Sequence, residues 1–171
     1  MIFNRVFAMP SGDTFSIPPI TAFVQRYFAV SRCSVDPFAR NNEGFTYTND
    51  LDPATKARSH QDAAQFLRAL ALENVRCDLG IFDPPYSPRQ ISELYKTIGA
   101  SCGTRETQNG RLYKEARDAL DECMAVNGVV LSFGWNSCGM GKGRGYHLLE
   151  ILLVAHGGAH NDTICVAEVK L

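Results

Sequence analysis

The densest chemistry in this chain sits in four consecutive residues, Asp83-Pro84-Pro85-Tyr86. Two successive prolines remove two backbone N–H donors and stiffen the turn, so its carbonyls are left as acceptors beside the Asp83 carboxylate. A carboxylate and a neighbouring carbonyl, here Asp83 and Pro84, can accept both hydrogens of an exocyclic amine. That arrangement withdraws the amine lone pair from its ring and readies it to attack an electrophile such as a sulfonium methyl. Tyr86 adds a flat face on which a base taken out of a helix can stack.

Such a tetrad needs a rigid support, and the apolar run Asp78 to Phe82 reads as a buried strand that stops at Asp83. Two shorter strands, about Arg32 to Val35 and Phe45 to Asn49, also end in acids, at Asp36 and at Asp50 or Asp52. In an open α/β sheet, ligands bind in the crevice beyond the carboxyl ends of the strands, so Asp36, Asp50 and Asp83 are expected to share a site. Asp50 or Asp52 could accept the ribose hydroxyls of a nucleoside cofactor. The competing reading for either is a helix cap or a solvated turn acid.

The remaining pattern supplies the layers. Helical spacing runs from Pro19 to Val30, from Asp62 to Leu72, from Pro88 to Ile98 and from Leu112 to Met124. Val129 to Phe133 is a further strand, Ser137 to Gly145 a Gly-rich basic loop, and Leu148 to Ala155 with Thr163 to Lys170 a terminal hairpin. The expected fold is α/β with three layers, its sheet mostly parallel with an antiparallel C-terminal hairpin at the edge.

Taken together these residues resemble the N6-adenine DNA methyltransferases, whose catalytic motif is (D/N/S)PP(Y/F/W) at a strand end. Ser34-Val35-Asp36-Pro37-Phe38-Ala39 is similar to that family's cofactor motif, Asn49-Asp50 to its ribose-binding acid, and Asp62-Ala63 to the acid that meets the cofactor adenine. Met9-Pro10-Ser11-Gly12-Asp13-Thr14-Phe15 lies where the family places its final cofactor motif. The resemblance covers about residues 9 to 135. It implies a Rossmann-like class I methyltransferase fold, S-adenosylmethionine as cofactor and adenine in DNA as acceptor. It further implies catalytic roles for Asp83, Pro84, Pro85 and Tyr86, and cofactor contacts from Pro10, Ser11, Asp13, Thr14, Asp36, Pro37, Phe38, Ala39, Asn49, Asp50, Asp62, Ala63 and Asp83. Where the family has a glycine pair after its cofactor motif, this chain has Arg40, Asn41 and Asn42. Asparagine can take positive φ, which would preserve the turn.

Composition bounds the rest. A chain of 171 residues with 45% hydrophobic content suits one domain, 1 to 171, with no room for a separate target-recognition domain. Sequence specificity would then come from a second copy or a partner, an economy suited to a phage or mobile element. Seventeen basic residues against eighteen acidic ones give no global field toward DNA, so a local patch is required. Arg105, Lys142 and Arg144, with Arg111 and Lys114, are the candidate substrate contacts, or else solvated loop charges. The six dispersed cysteines fit reduced thiols in a cytoplasm, and no signal or membrane span is expected. No metal site is expected, since His156, His160 and Cys165 fit a hairpin turn better than a ligand set. Trp135 reads as packing.

Overall fold

In the computed structural model, residues 1–85 and 109–171 are described, with the side chains of 109–112 left aside. The expected helix over 88–98 therefore lies outside the described residues. Along the chain run β1 (Ile2–Phe7), α1 (Pro18–Phe28), β2 (Ser34–Asp36), β3 (Tyr47–Thr48), α2 (Ala63–Leu72), β4 (Cys77–Phe82), α3 (Asn109–Cys123), β5 (Met124–Gly134), β6 (Tyr146–Ala155) and β7 (Thr163–Lys170). The strands form one sheet in the order β1-β6-β7-β5-β4-β2-β3. β7 alone runs against its neighbours β5 and β6, and the other pairings are parallel.

Each helix forms for a local reason and covers one face. Prolines in the first turn of α1 supply fixed φ where no N–H is needed, and Ile20, Phe23 and Val24 turn inward onto Leu79, Ile81, Leu131 and Phe133. On the opposite face, Asp62 caps α2 by accepting the Gln65 N–H at 3.0 Å. Phe66, Leu67 and Leu70 of α2 there meet Ala116, Ala119 and Leu120 of α3. Gly80 on β4 lets α3 approach, since a Cβ at that position would lie 2.9 Å from the Met124 sulfur and 3.3 Å from Leu120. The result is a sheet between two helical layers, with the β6–β7 hairpin that the sequence suggests.

One strand was not legible. β1 pairs with β6 in parallel, from Ile2 beside Glu150 to Phe7 beside Ala155, so the sheet extends one strand beyond the hairpin. All six of its residues are exposed, and its order of apolar and polar residues carries no core-facing alternation. Its ladder with β6 holds it, and Glu150, 2% exposed, adds a side-chain tie, accepting from Asn4 Nδ2 (3.3 Å) as well as from Arg26 Nη2 (2.9 Å) and the Tyr27 hydroxyl (3.1 Å) of α1. His156, also buried, bridges the Ala8 carbonyl (2.8 Å) and Thr163 Oγ1 (2.9 Å), which ties the end of β1 to the hairpin turn.

Cys33, Cys77, Cys123, Cys138 and Cys165 are free thiols. Among the described residues no helix is long and apolar enough to cross a membrane.

Burial pushes the Glu150 carboxyl up, but the hydrogen bonds and charge of Arg26, with Tyr27 and Asn4, bring it below its ordinary value. Glu150→Ala is expected to cost about 1–3 kcal/mol, because the Tyr27 and Asn4 groups lose their acceptor while Arg26, largely exposed, returns to water. A lowered folded pKa gives stability that is present above the unfolded value, near ~4.3, and lost as pH falls through the folded one. Urea titrations should therefore show the gap between variant and wild type at pH 7 and its narrowing below about pH 4.

Candidate active site

The chain leaves β2 outward to β3 and then returns through α2 to β4 on the other side of β2. That reversal opens a crevice between the carboxyl ends of β2 and β4, and the acids stand on both sides of it. Asp36, the last residue of β2, is fully buried. Its Oδ1 accepts the Phe38 N–H at 3.0 Å, while Oδ2 has no hydrogen-bond partner among the described residues. Burial raises this carboxyl well above the usual range; the Phe38 N–H opposes that, and the charges of Asp83 and Asp50 add to it. Asp36 thus feels both of the other acids.

Asp50 is 7% exposed and organises backbone: Oδ2 accepts the Arg40 N–H at 3.0 Å and Oδ1 the Asp52 N–H at 2.9 Å. Burial is the larger influence and raises its pKa despite both bonds. The turn after the cofactor-like motif survives, but not through asparagine. Arg40 itself takes φ 50°, while Asn41 and Asn42 do not take positive φ. Its N–H is held by Asp50, and its guanidinium donates to the Gly12 carbonyl at 2.8 Å. That bond brings the 9–15 segment onto the 36–42 turn. Phe15 then packs edge-on against Phe133 of β5, with ring centroids 5.1 Å apart. Ser11 and Asp13 shape the segment, Ser11 Oγ accepting the Asp13 N–H and Asp13 Oδ1 the Phe15 N–H, each at 3.2 Å. Pro10 and Thr14 are half-buried beside them.

Asn49 is wholly consumed by structure. Its Nδ2 donates to the Pro37 carbonyl (3.2 Å) and the Gln61 carbonyl (3.0 Å), and its Oδ1 accepts the Gln61 N–H at 3.0 Å. Asp62 caps α2, with Ala63 as the first residue of that helix, so both lie at the same edge. Pro37 and Ala39 are buried; Phe38 is half-buried and meets Phe82 edge-on at 5.6 Å.

After β4, Pro84 is buried and Pro85 half-buried. The Tyr113 hydroxyl of α3 donates to the Pro85 carbonyl, and burial pushes that phenol up to about 12. Tyr113 was missed in the sequence because nothing in a helical pattern marks which phenol will reach a turn 28 residues earlier. Arg117 lies with its guanidinium carbon 4.9 Å from the centre of the Phe82 ring, behind the same turn. Tyr86 and Arg105 lie outside the described residues.

Two expected substrate contacts belong elsewhere. β5 ends at the crevice edge, and parallel β6 begins at the opposite edge, so the connection carries Lys142 and Arg144 to the sheet's amino end. Arg144 there pairs with Asp118 at 2.6 Å and donates to the Met140 carbonyl at 2.9 Å; Lys114 also pairs with Asp118, at 2.8 Å. These arginine and lysine residues brace α3. Trp135, read as packing, lies at the carboxyl end of β5 and is 46% exposed. Among the described residues no group of three or more His, Cys, Asp or Glu is arranged to hold a metal ion.

This sheet order, with one antiparallel strand inserted beside β5, is that of a Rossmann-like methyltransferase fold. TrmN from Thermus thermophilus has it, with a TM-score of 0.56 and 16% identity over 91% of this chain; the chain spans 49% of TrmN, about half its length. A protein from Haemophilus influenzae assigned as a methylase has it too, with a TM-score of 0.51 and 12% identity over 90% of this chain and 96% of that one. No protein-family model and no curated protein sequence matches the chain.

Asp50→Ala is expected to take the carboxylate acceptor from the Arg40 and Asp52 N–H groups, both only part-buried, at about 1–3 kcal/mol in all. Denaturant unfolding reads the loss, and faster exchange of the Arg40 amide locates it. For Asp36, a raised folded pKa gives stability that is complete below the unfolded value near ~3.9 and lost as pH rises through the folded one. Asp36→Asn keeps the acceptor for Phe38 and removes the charge. Its melting temperature should therefore gain on wild type as pH rises above about 4, and parallel melting curves would contradict the burial of this acid.

Proposed function

We propose that this protein is an S-adenosylmethionine-dependent methyltransferase that methylates the N6 amine of adenine in DNA. The observation that carries the reading is the meeting of a buried acid with an unpartnered oxygen, Asp36, and the Asp83-Pro84-Pro85 turn at a single switch point. The fold shared with TrmN and with the Haemophilus protein assigned as a methylase supports it.

The residues fit the cofactor. S-adenosylmethionine supplies an electrophilic methyl on a sulfonium, together with an ammonium, two ribose hydroxyls and an adenine. The open Asp36 oxygen suits a cationic or hydrogen-bonding donor in a site walled off from water. Asp50 has lone pairs beyond its two backbone bonds, but Asp52, half-buried and bonding the Ala54 N–H at 2.9 Å, is the more accessible ribose acceptor. Asp62 and Ala63 would border the adenine, with Pro10 to Thr14 closing the other side.

For the acceptor, Asp83 and the Pro84 carbonyl take the two amine hydrogens. The Pro85 carbonyl already holds the Tyr113 hydroxyl, which fixes the turn and leaves its neighbour for substrate. Tyr86 would stack on the flipped base. The aspartate that opens the tetrad favours adenine over cytosine N4 or a glutamine amide, since the resembled family's other acceptors go with serine or asparagine there.

The test is to incubate the protein with labelled S-adenosylmethionine and DNA, RNA or protein and to identify the product by mass spectrometry. N6-methyladenine in DNA is expected; label in RNA or protein reassigns the acceptor, and none in any rejects the activity. Asp83→Ala should lose essentially all turnover with cofactor affinity changed far less, because its bond to the amine matters chiefly in the transition state.

A further inference from the structure

The two edges of the sheet are not alike. At one, β3 has two residues, and the chain just beyond it bridges back through Asn49 and Ser59. At the other stands β1, in unbroken parallel register with β6 from Ile2 to Phe7, and among the described residues no strand lies beyond it. Successive residues of a strand turn their backbone groups to opposite edges. The Ala8 N–H donates to the Ala155 carbonyl at 3.0 Å and the Ala8 carbonyl meets His156, so the even-numbered residues of β1 bond β6. Phe3, Arg5 and Phe7 therefore aim their N–H and C=O groups outward. Sheet edges are commonly blunted by proline, lysine or a bulge; β1 has none of these, and Arg5 is its one charge. Its apolar side chains stand open on both faces: Ile2 is 58%, Phe3 59% and Phe7 67% exposed, and Met1 and Met9 beside them are more exposed still. Together they offer surface on the order of 800 Å², what one partner contributes to a standard protein–protein interface.

We infer that the free edge of β1 docks a second copy of this chain, the two β1 strands pairing antiparallel about a two-fold axis at Asn4. A symmetric pair is antiparallel, because only then do both strands give and take the same hydrogen bonds. The axis stands perpendicular to the joined sheet, so residues that face each other across it share a face. The sequence then chooses the register. With Arg5 on the axis, two guanidinium groups would confront each other; with Phe3 on it, Ile2 would lie against Asn4 while Val6 and Phe7 went unpaired. With Asn4 on the axis, Arg5 of each copy lies opposite Phe3 of the other, a cation–π pair made twice, and on the other face Ile2 lies opposite Val6. A net charge of -1 per chain sets little repulsion against the pairing. Because the strands reverse across the axis, the two crevices open at opposite ends of the joined sheet. Neither copy reaches the other's acids, so the pairing and the proposed methyl transfer stand or fall separately.

Sedimentation equilibrium on the wild-type chain needs no variant: a dimer that dissociates on dilution is expected, and a monomer at every concentration overturns the inference. Arg5→Pro removes an outward N–H and leaves the bonds to β6 in place. It should be monomeric where wild type is dimeric, with an unaltered circular dichroism spectrum. A folded Arg5→Pro protein that still dimerises puts the contact on another face and overturns the inference. Position 4 tests the register by a second route, which serves even where the proline variant fails to fold. Residues facing each other across such an axis without mutual hydrogen bonds have Cα atoms about 4.5 Å apart, within the span of a disulfide. Oxidised glutathione exchanges with the two thiols of paired Asn4→Cys chains, joining them through one S–S bond and leaving as two molecules of reduced glutathione. A covalent dimer is expected from Asn4→Cys, and in far lower yield from wild type or Arg5→Cys treated alike. Cross-linking of Arg5→Cys in preference to Asn4→Cys overturns the pairing about Asn4.

Discussion

The crevice depends on one carboxamide. Asn49 is fully buried at the end of a strand only two residues long, and it binds three backbone groups from two loops with both N–H donors and its oxygen. Its own backbone continues the work, donating to the Asp36 carbonyl at 2.9 Å and accepting the Ala39 N–H at 2.8 Å. No other side chain of that size offers two donors and an acceptor on a short stem. The turn after β2, the end of β3 and the approach to α2 are thereby fixed to a single point.

This explains how so little strand supports so many acids. β2 has three residues and β3 two, and beyond them a lone parallel bridge joins Asn49 to Ser59. Ladder hydrogen bonds are too few to hold the loops, and side-chain bonds replace them: Asn49 to the Pro37 and Gln61 carbonyls, Asp50 to the Arg40 and Asp52 amides, and Arg40 to the Gly12 carbonyl. In a buried, low-dielectric setting a satisfied polar network is stiff, and a half-satisfied one is costly. The single open atom in this network, Asp36 Oδ2, therefore stands out as the point where a ligand group is owed.

The sequence made the central part of this legible because strands that end in acids, and a double proline after a buried strand, are local signals. Asp36, Asp50 and Asp83 could be placed at one edge from their positions alone, and α1, α2 and α3 from their spacing. Three features were not local. β1 is a strand only because β6 and Glu150 offer it a place, so its own six residues carry no pattern. The positive φ at Arg40 is set by bonds to Asp50 and Gly12, and no propensity would choose arginine over the adjacent asparagines for it. Lys142 and Arg144 looked like a flexible basic loop, yet the direction of β6 carries them away from the acids. A charge count along the chain cannot see which end of the sheet a loop reaches.

That displacement bears on how a polyanion could approach. Burial raises Asp36 and Asp50, and the charges of Asp83 and Asp50 add to the rise at Asp36, so the crevice favours cations and amine donors over phosphate. In the proposed reading, a nucleic acid can therefore enter only base first, its backbone held off from the acids. Arg40 and Lys56, exposed on the loops that follow β2 and β3, are the cations on the crevice's own edge. They lie on the β2–β3 side of the switch point, opposite β5. On the side of the proline turn the described cations are on α3, Lys114 paired with Asp118 and Arg117 against the Phe82 ring, so in the proposed reading recognition there rests mainly on ring faces and amine hydrogens.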